Sequence, residues 1–195
     1  MNPITHALLG WTISHPLLKS KRDIALVTLG SVIPDIDGAG IIADFFSQSW
    51  PQPLSLYSDY HHTLGHNLFA AFLFSICAGS LAREKLKTFA SFFLVFHLHL
   101  ICDVAGSKGP DGEQWPIFYF FPINRDWKIT WSGQWEVNAW QNMLVTVISL
   151  LVALNQARKN GFSPIWFFSR RADAAFVETL RARFPLKESG ANKSC

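Results

Sequence analysis

The chain has 195 residues, nearly half of them hydrophobic and only 16% charged, which excludes a disordered polymer and leads us to expect one domain with a short tail. The formal charge is only +3, and its basic residues gather in short groups at Lys19–Arg22, Arg83–Lys87 and Arg158–Arg183. With no continuous basic stripe, nucleic acid is not expected as a stable partner.

Cys77, Cys102 and Cys195 form no CxxC pair and no even framework, so neither a disulfide scaffold nor a thiolate zinc site is expected, and a reducing compartment fits. The first residues lack the charged start and small-residue cleavage site of a secretory signal, and we read them as mature sequence. Apolar runs longer than a typical strand, with almost no alternation of period two, predict an all-α fold. The expected form is a compact helical bundle with long aromatic-rich loops. Residues 1–160 should form the helical domain, and 161–195 a basic tail with a short amphipathic helix.

Taken in order, the first helix is expected over Thr5–Leu18, with His6 near its start, and the second over Asp23–Val32. Pro34-Asp35-Ile36-Asp37 then ends the apolar run with two carboxylates one residue apart, a spacing that lets a turn aim both at a cation. The same pattern also suits a capped turn whose Asp side chains bond local backbone. The Gly38/Gly40 pair, Pro51 and Pro53 predict an irregular connection over Gly38–Tyr60. Tyr60-His61-His62-Thr63-Leu64-Gly65-His66-Asn67 follows. If the third helix, expected over Gly65–Leu81, starts early, His62 and His66 share a face; if the segment is a loop, His61 and His66 converge.

The fourth helix, Lys87–Asp103, carries His97, His99 and Asp103. His99 and Asp103 are four apart in an apolar run, where a lone carboxylate is costly to ionise and a metal or histidinium removes that cost. His97 points elsewhere, as support for the site or as a hydrogen-bonded core histidine. A turn-rich stretch over residues 106–112 and the aromatic run Trp115–Pro122 come next, with Trp127, Trp131 and Trp135 beyond. They can wall a pocket or cover the bundle. The last helices are expected over Val137–Lys159 and Arg171–Phe184, the latter amphipathic through Ala175, Phe176, Leu180 and Phe184.

Apolar stretches at Ile24–Ile33, Leu68–Ala82, Phe89–Ala105 and Met143–Ala153 each fall short of the roughly 20 residues of a spanning helix. Arg83, Glu84, Lys85 and the flanking Trp and Tyr residues also suit a lipid interface. Two locations stay open: the bacterial inner membrane or its cytoplasmic face, or the cytoplasm if the apolar helices are core.

With Thr5-His6, Pro34-Asp35-Ile36-Asp37, His61-His62-Thr63-Leu64-Gly65-His66 and His99-Leu100-Ile101-Cys102-Asp103 in this order, the chain resembles a bacterial family of inner-membrane, metal-dependent hydrolases, of the LexA-binding, membrane-associated type. The family turn more often reads His-Arg-Gly-x-Thr-His-Ser, so His62 stands where Arg is usual. The resemblance implies metal ligands at His6, Asp35, Asp37, His61, His66, His99 and Asp103. It also implies a distant likeness to zinc-dependent phospholipase C and single-strand nucleases, and so phosphoester chemistry.

Imidazole and carboxylate donors without thiolates suit zinc above all, or manganese or iron, and the number of candidates accommodates one to three divalent ions. The expected activity is hydrolysis of a small-molecule or lipid phosphoester by a metal-activated water, with Asp37 or His62 assisting proton transfer. The alternative is a membrane-associated protein without activity, in which a metal holds the helices together.

Overall fold

Asn2 opens the first helix, α1 (Pro3–Leu17): its side chain accepts from the Thr5 N–H at 2.9 Å, and Pro3 takes a first-turn position that needs no N–H. The structure is a computed structural model and describes residues 1–109 and 112–186. Pro110, Asp111 and residues 187–195, including Cys195 and part of the expected tail, lie outside the described residues.

The chain continues through α2 (Lys21–Gly30), a 3-10 turn over Ile33–Ala39, α3 (Gly40–Ser47), α4 (Leu56–Tyr60), α5 (Leu68–Leu81), α6 (Lys85–Gly106) and α7 (Trp140–Asn160). A second 3-10 turn over Pro164–Phe167 precedes α8 (Arg170–Arg183). The fold is all-α, with no strand among the described residues beyond two isolated bridges, Lys108 to Glu136 and Ile117 to Ile129.

The stretch expected as an irregular connection over Gly38–Tyr60 is instead built around two short helices, α3 and α4. At eight and five residues they are too short to show a helical period in the sequence, and a tertiary contact holds them. The Asp44 carboxylate accepts from the backbone N–H groups of Leu56 and Tyr57 at 2.7 and 2.8 Å, tying α3 to the start of α4.

The described residues group into two compact units, one over Met1–Ser149 and one from Leu150 onward, the division falling inside α7. In the first unit α6 is central, packing against α1, α2 and α5. Its inward face buries Phe92, Val95, Phe96, His99, Leu100 and Asp103. Gly30 lets α2 come close, because a Cβ there would stand 3.0 Å from the Phe92 ring. At the start of α6 the buried Asp23 carboxylate accepts from the N–H groups of Arg83 and Glu84 at 3.0 and 2.9 Å, which joins the α1–α2 and α5–α6 turns. In the second unit the buried Asp173 accepts from the Ser163 N–H and hydroxyl, both at 2.7 Å, fixing the turn before α8.

The outward faces of the first unit are apolar. Phe69, Phe72, Leu73 and Ile76 on α5, Leu86, Leu94 and Ile101 on α6, and Ile41, Ile42, Phe45 and Phe46 on α3 are all exposed. Exposed large apolar side chains in this number suit a membrane or a partner better than water. At 22 residues α6 is long and apolar enough to cross a bilayer, and α2 with the segment Ile33–Ser47 forms a pair bent by 49° that passes the same test jointly.

Candidate metal centre

The His-rich segment is a turn, not the start of a helix. Helix α5 begins only at Leu68, where Asn67 caps it by accepting from the Ala70 N–H at 2.8 Å. The Asn67 amide in turn donates to the carbonyls of Thr63 and Leu64 at 2.9 and 2.8 Å, so the same residue closes the turn and opens the helix. His62 adopts φ 66°, in the left-handed region. Because the segment is not helical, His62 and His66 do not share a helix face. His61 and His66 instead meet on one carboxylate, Asp37.

Asp37 Oδ1 lies 2.8 Å from His61 Nδ1, while Oδ2 accepts from the Gly65 N–H at 2.9 Å and pairs with His66 Nδ1 at 3.0 Å. The 3-10 turn after Pro34 thus presents Asp37 to the His-rich turn and Asp35 to α6. Gly65 makes this docking possible: a Cβ at that position would collide with the Pro34 carbonyl. Tyr57 of α4 stacks on His61 at 4.7 Å, and Trp115 stands edge-on to His61 and His62 at 5.4 and 5.2 Å.

From α6, His99 Nδ1 donates to the Ser31 carbonyl at 2.8 Å, which directs Nε2 into the cluster. There His99 Nε2 lies 3.1 Å from His66 Nε2, 2.8 Å from Asp103 Oδ2 and 3.6 Å from Asp35 Oδ1. Asp103 Oδ1 meets His6 Nε2 at 3.1 Å and also the Met1 ammonium. The His6 ring stacks on His99 with centroids 3.8 Å apart.

Asp103 Oδ2 is the telling atom. Two imidazole nitrogens face it, at 2.8 and 3.4 Å, yet it has no hydrogen bond in acceptable geometry, and Asp35 Oδ2 and His62 Nδ1 are buried without a hydrogen bond as well. Unsatisfied buried atoms of this kind call for an explanation, and a cation supplies one. Asp35, His66, His99 and Asp103 each offer one donor atom, all within 4.8 Å of one another, and so could hold a metal ion; Asp37, His61 and His66 form a second such group. The donor chemistry fits a divalent metal.

The electrostatics of the turn agree. Burial opposes charge on His66, but the facing carboxylates of Asp103 and Asp37 prevail and raise its pKa to about 9. Burial, reinforced by the neighbouring His66, holds His62 well below the ordinary histidine value. His6 is also lowered, by burial and by His99.

All seven residues expected as ligands, and His62, are therefore brought together. His62 Nε2 stands 4.0 Å from Asp103 Oδ2. His97 is not among them: its Nδ1 donates to the Phe93 carbonyl and its Nε2 accepts from the Tyr119 hydroxyl, both at 2.8 Å. The Ser31 carbonyl and Tyr57 join the site without having been foreseen. A backbone acceptor leaves no mark in a sequence, and Tyr57 sits on a helix that periodicity does not reveal.

A cavity of about 250 Å³, bordered by Asp35, Tyr57, His61, His62 and Trp115, leads to the cluster. A second, of about 360 Å³, has Asp37 at its edge and otherwise mainly apolar walls that include Ile33, Ile36, Leu64 and Phe74. The aromatic segment contributes to both of its expected uses: Trp115 walls the first cavity, and Ile117 is fully buried in the bundle.

No curated protein and no solved structure matches the chain. A family model described as YdjM inner membrane protein matches residues 1–170, a span that includes every residue of the cluster and every outward apolar face of the first unit. The chain belongs to that family of inner-membrane proteins, a location that its exposed apolar residues and the apolar α6 fit.

Proposed function

We propose that this membrane protein is a metal-dependent hydrolase of phosphoesters, with Asp35, His66, His99 and Asp103 holding a divalent cation. One observation carries the reading. His66 and His99 each commit Nδ1 to an oxygen outside this set of four, Asp37 Oδ2 and the Ser31 carbonyl, so that both Nε2 atoms and Asp103 Oδ2 are left facing a common point. Metal-binding histidines are oriented in this way, by an outer carboxylate or carbonyl. The donor set suits zinc, manganese or iron. Bound there, such a cation would polarise a phosphoryl oxygen and bring the pKa of a water toward neutrality.

The side chains around the cation divide the remaining work. Asp37 is a positioning residue, since it holds both His61 and His66. A second ion on Asp37, His61 and His66 would require breaking the Asp37–His66 bond, so the group centred on Asp103 fills first. His62 borders the cavity with Nδ1 unpartnered, the position from which a side chain could assist proton transfer. The order of motifs resembles that of inner-membrane metal-dependent hydrolases, whose distant likeness to phosphodiester-cleaving enzymes supports the phosphoester class, and the inner-membrane setting supports a lipid phosphoester among its substrates.

A second reading, a metal that only holds helices together, has its own support: His66, His99 and Asp103 are at most 1% exposed, as in closed structural sites. Asp35 borders the cavity of about 250 Å³, however, which leaves an approach for substrate. The test is elemental analysis of protein purified without chelators or histidine-affinity resin, with hydrolysis of a chromogenic phosphodiester measured in parallel. Metal at stoichiometry with hydrolysis that Asp103→Asn removes supports the hydrolase. Metal without hydrolysis, together with a lowered melting temperature in Asp103→Asn, supports the structural reading.

A further inference from the structure

We infer that the His/Asp centre opens on the non-cytoplasmic face of the inner membrane, so that its metal and substrate come from that side. Two ends of the first unit differ in charge. At one end, the α1–α2 turn and the start of α2 carry Lys19, Lys21 and Arg22, and the α5–α6 turn and the start of α6 carry Arg83, Lys85 and Lys87. These turns are physically joined, through Asp23 to the Arg83 and Glu84 N–H groups and from the Lys19 N–H to Glu84 at 3.4 Å. The His/Asp centre is at the other end, where α2 stops, α5 starts and α6 finishes.

Along α6 the separation from Lys85 to Asp103 is roughly 27 Å at about 1.5 Å per residue. That is close to the roughly 30 Å hydrocarbon core of a bilayer. The connections at the centre's end, residues 31–67 and 107–139, hold no Lys or Arg in the first and only Lys108, Arg125 and Lys128 in the second. Both are shorter than about 60 residues, the range in which the Lys and Arg count of a loop sets orientation and the richer side stays in the cytoplasm. Six basic residues packed against two turns outweigh three spread over long connections. The basic turns belong inside and the centre outside.

The orientation rests on charge and topology and does not depend on the hydrolase reading, so it can fail or hold independently of catalysis. Cysteine reporters test it in the full-length protein in spheroplasts. Ser132→Cys and Gln52→Cys place exposed thiols in the connections at the centre's end, and Lys87→Cys places one at the basic end. A membrane-impermeant maleimide is applied before and after permeabilisation, with the parent chain's own cysteines as baseline. Reaction of Ser132→Cys and Gln52→Cys in intact spheroplasts, with Lys87→Cys reacting only after permeabilisation, supports the assignment. The reverse pattern, or equal reaction of all three before permeabilisation, overturns it.

Discussion

Asp23 and Asp103 are both fully buried carboxylates in the first unit, close to opposite ends of α6, and they are satisfied in opposite ways. Each oxygen of Asp23 accepts a backbone N–H, at 3.0 and 2.9 Å, so the carboxylate is stabilised by fixed dipoles that form with the fold. Asp103 faces His6, His66 and His99, yet its Oδ2 has no hydrogen bond in acceptable geometry. A buried carboxylate is expensive unless it is paired, and only one of these two is fully paired by the protein itself. The first builds structure; the second belongs to a group that could hold a cation.

The strongest way to break this contrast is to remove each carboxylate in turn. Asp103→Asn is expected to reduce bound metal to background while the helical content stays intact, read by elemental analysis and circular dichroism. Asp23→Ala leaves two backbone N–H groups unpaired and is expected to cost roughly 3 kcal/mol of stability with metal stoichiometry unchanged. If Asp23→Ala lost metal as completely as Asp103→Asn, the division between structural and metal-holding carboxylate would collapse.

A smaller effect is expected from Asp37→Asn, which keeps the size of the side chain but weakens its hold on His61 and His66. Loss of such an outer partner lowers metal affinity by roughly 10–100-fold, measured by competition with a chelating dye. An unchanged affinity would mean that Asp37 does not orient the ligands.

The pH dependence sharpens the same point. With its pKa raised from 6.5 to about 9, His66 stabilises the metal-free protein fully below 6.5, and that contribution is lost as pH rises through about 9. At its fullest it is roughly 3 kcal/mol. A metal needs the same nitrogen deprotonated, so metal affinity should strengthen as pH rises over the same window. Melting temperatures with and without metal should therefore diverge with increasing pH. Parallel curves would show that His66 is not a ligand.

The sequence made some of this visible and left other parts hidden, for physical reasons. The six longer helices were legible because their apolar runs exceed the length of a strand and show almost no alternation of period two, a local property of the sequence: α5 ends at Leu81 as expected, and α6 runs only a few residues beyond Lys87–Asp103 at each end. The i, i+4 pair His99 and Asp103 was legible because helix geometry fixes its direction. The choice between His61 and His62 was not, because it depends on a left-handed residue and on the docking of Gly65 under Pro34, both set by tertiary contact. Asp23 stood only as the first residue of the second expected helix; the backbone groups it accepts from lie 60 and 61 residues away, where no local pattern reaches. The membrane location was ambiguous in the apolar runs alone and becomes clear once their outward faces and the family are known.

The smallest expected effect concerns His97, a histidine on the same helix as His99 and only two residues from it. Like Asp23 it is satisfied within the protein, donating to the Phe93 carbonyl and accepting from the Tyr119 hydroxyl, both at 2.8 Å. Tyr119 in turn accepts the Leu68 N–H on its carbonyl at 2.9 Å, so His97 steadies the segment that meets the start of α5. His97→Phe removes both hydrogen bonds while preserving an aromatic ring against Phe93. The expected loss is about 1 kcal/mol of stability, seen as a small drop in melting temperature, with metal content equal to that of the parent. Metal loss in His97→Phe would show that the outer supports of the centre extend up α6 beyond Asp37 and the Ser31 carbonyl, and that proximity on the helix, rather than satisfaction of hydrogen bonds, decides which histidines serve it.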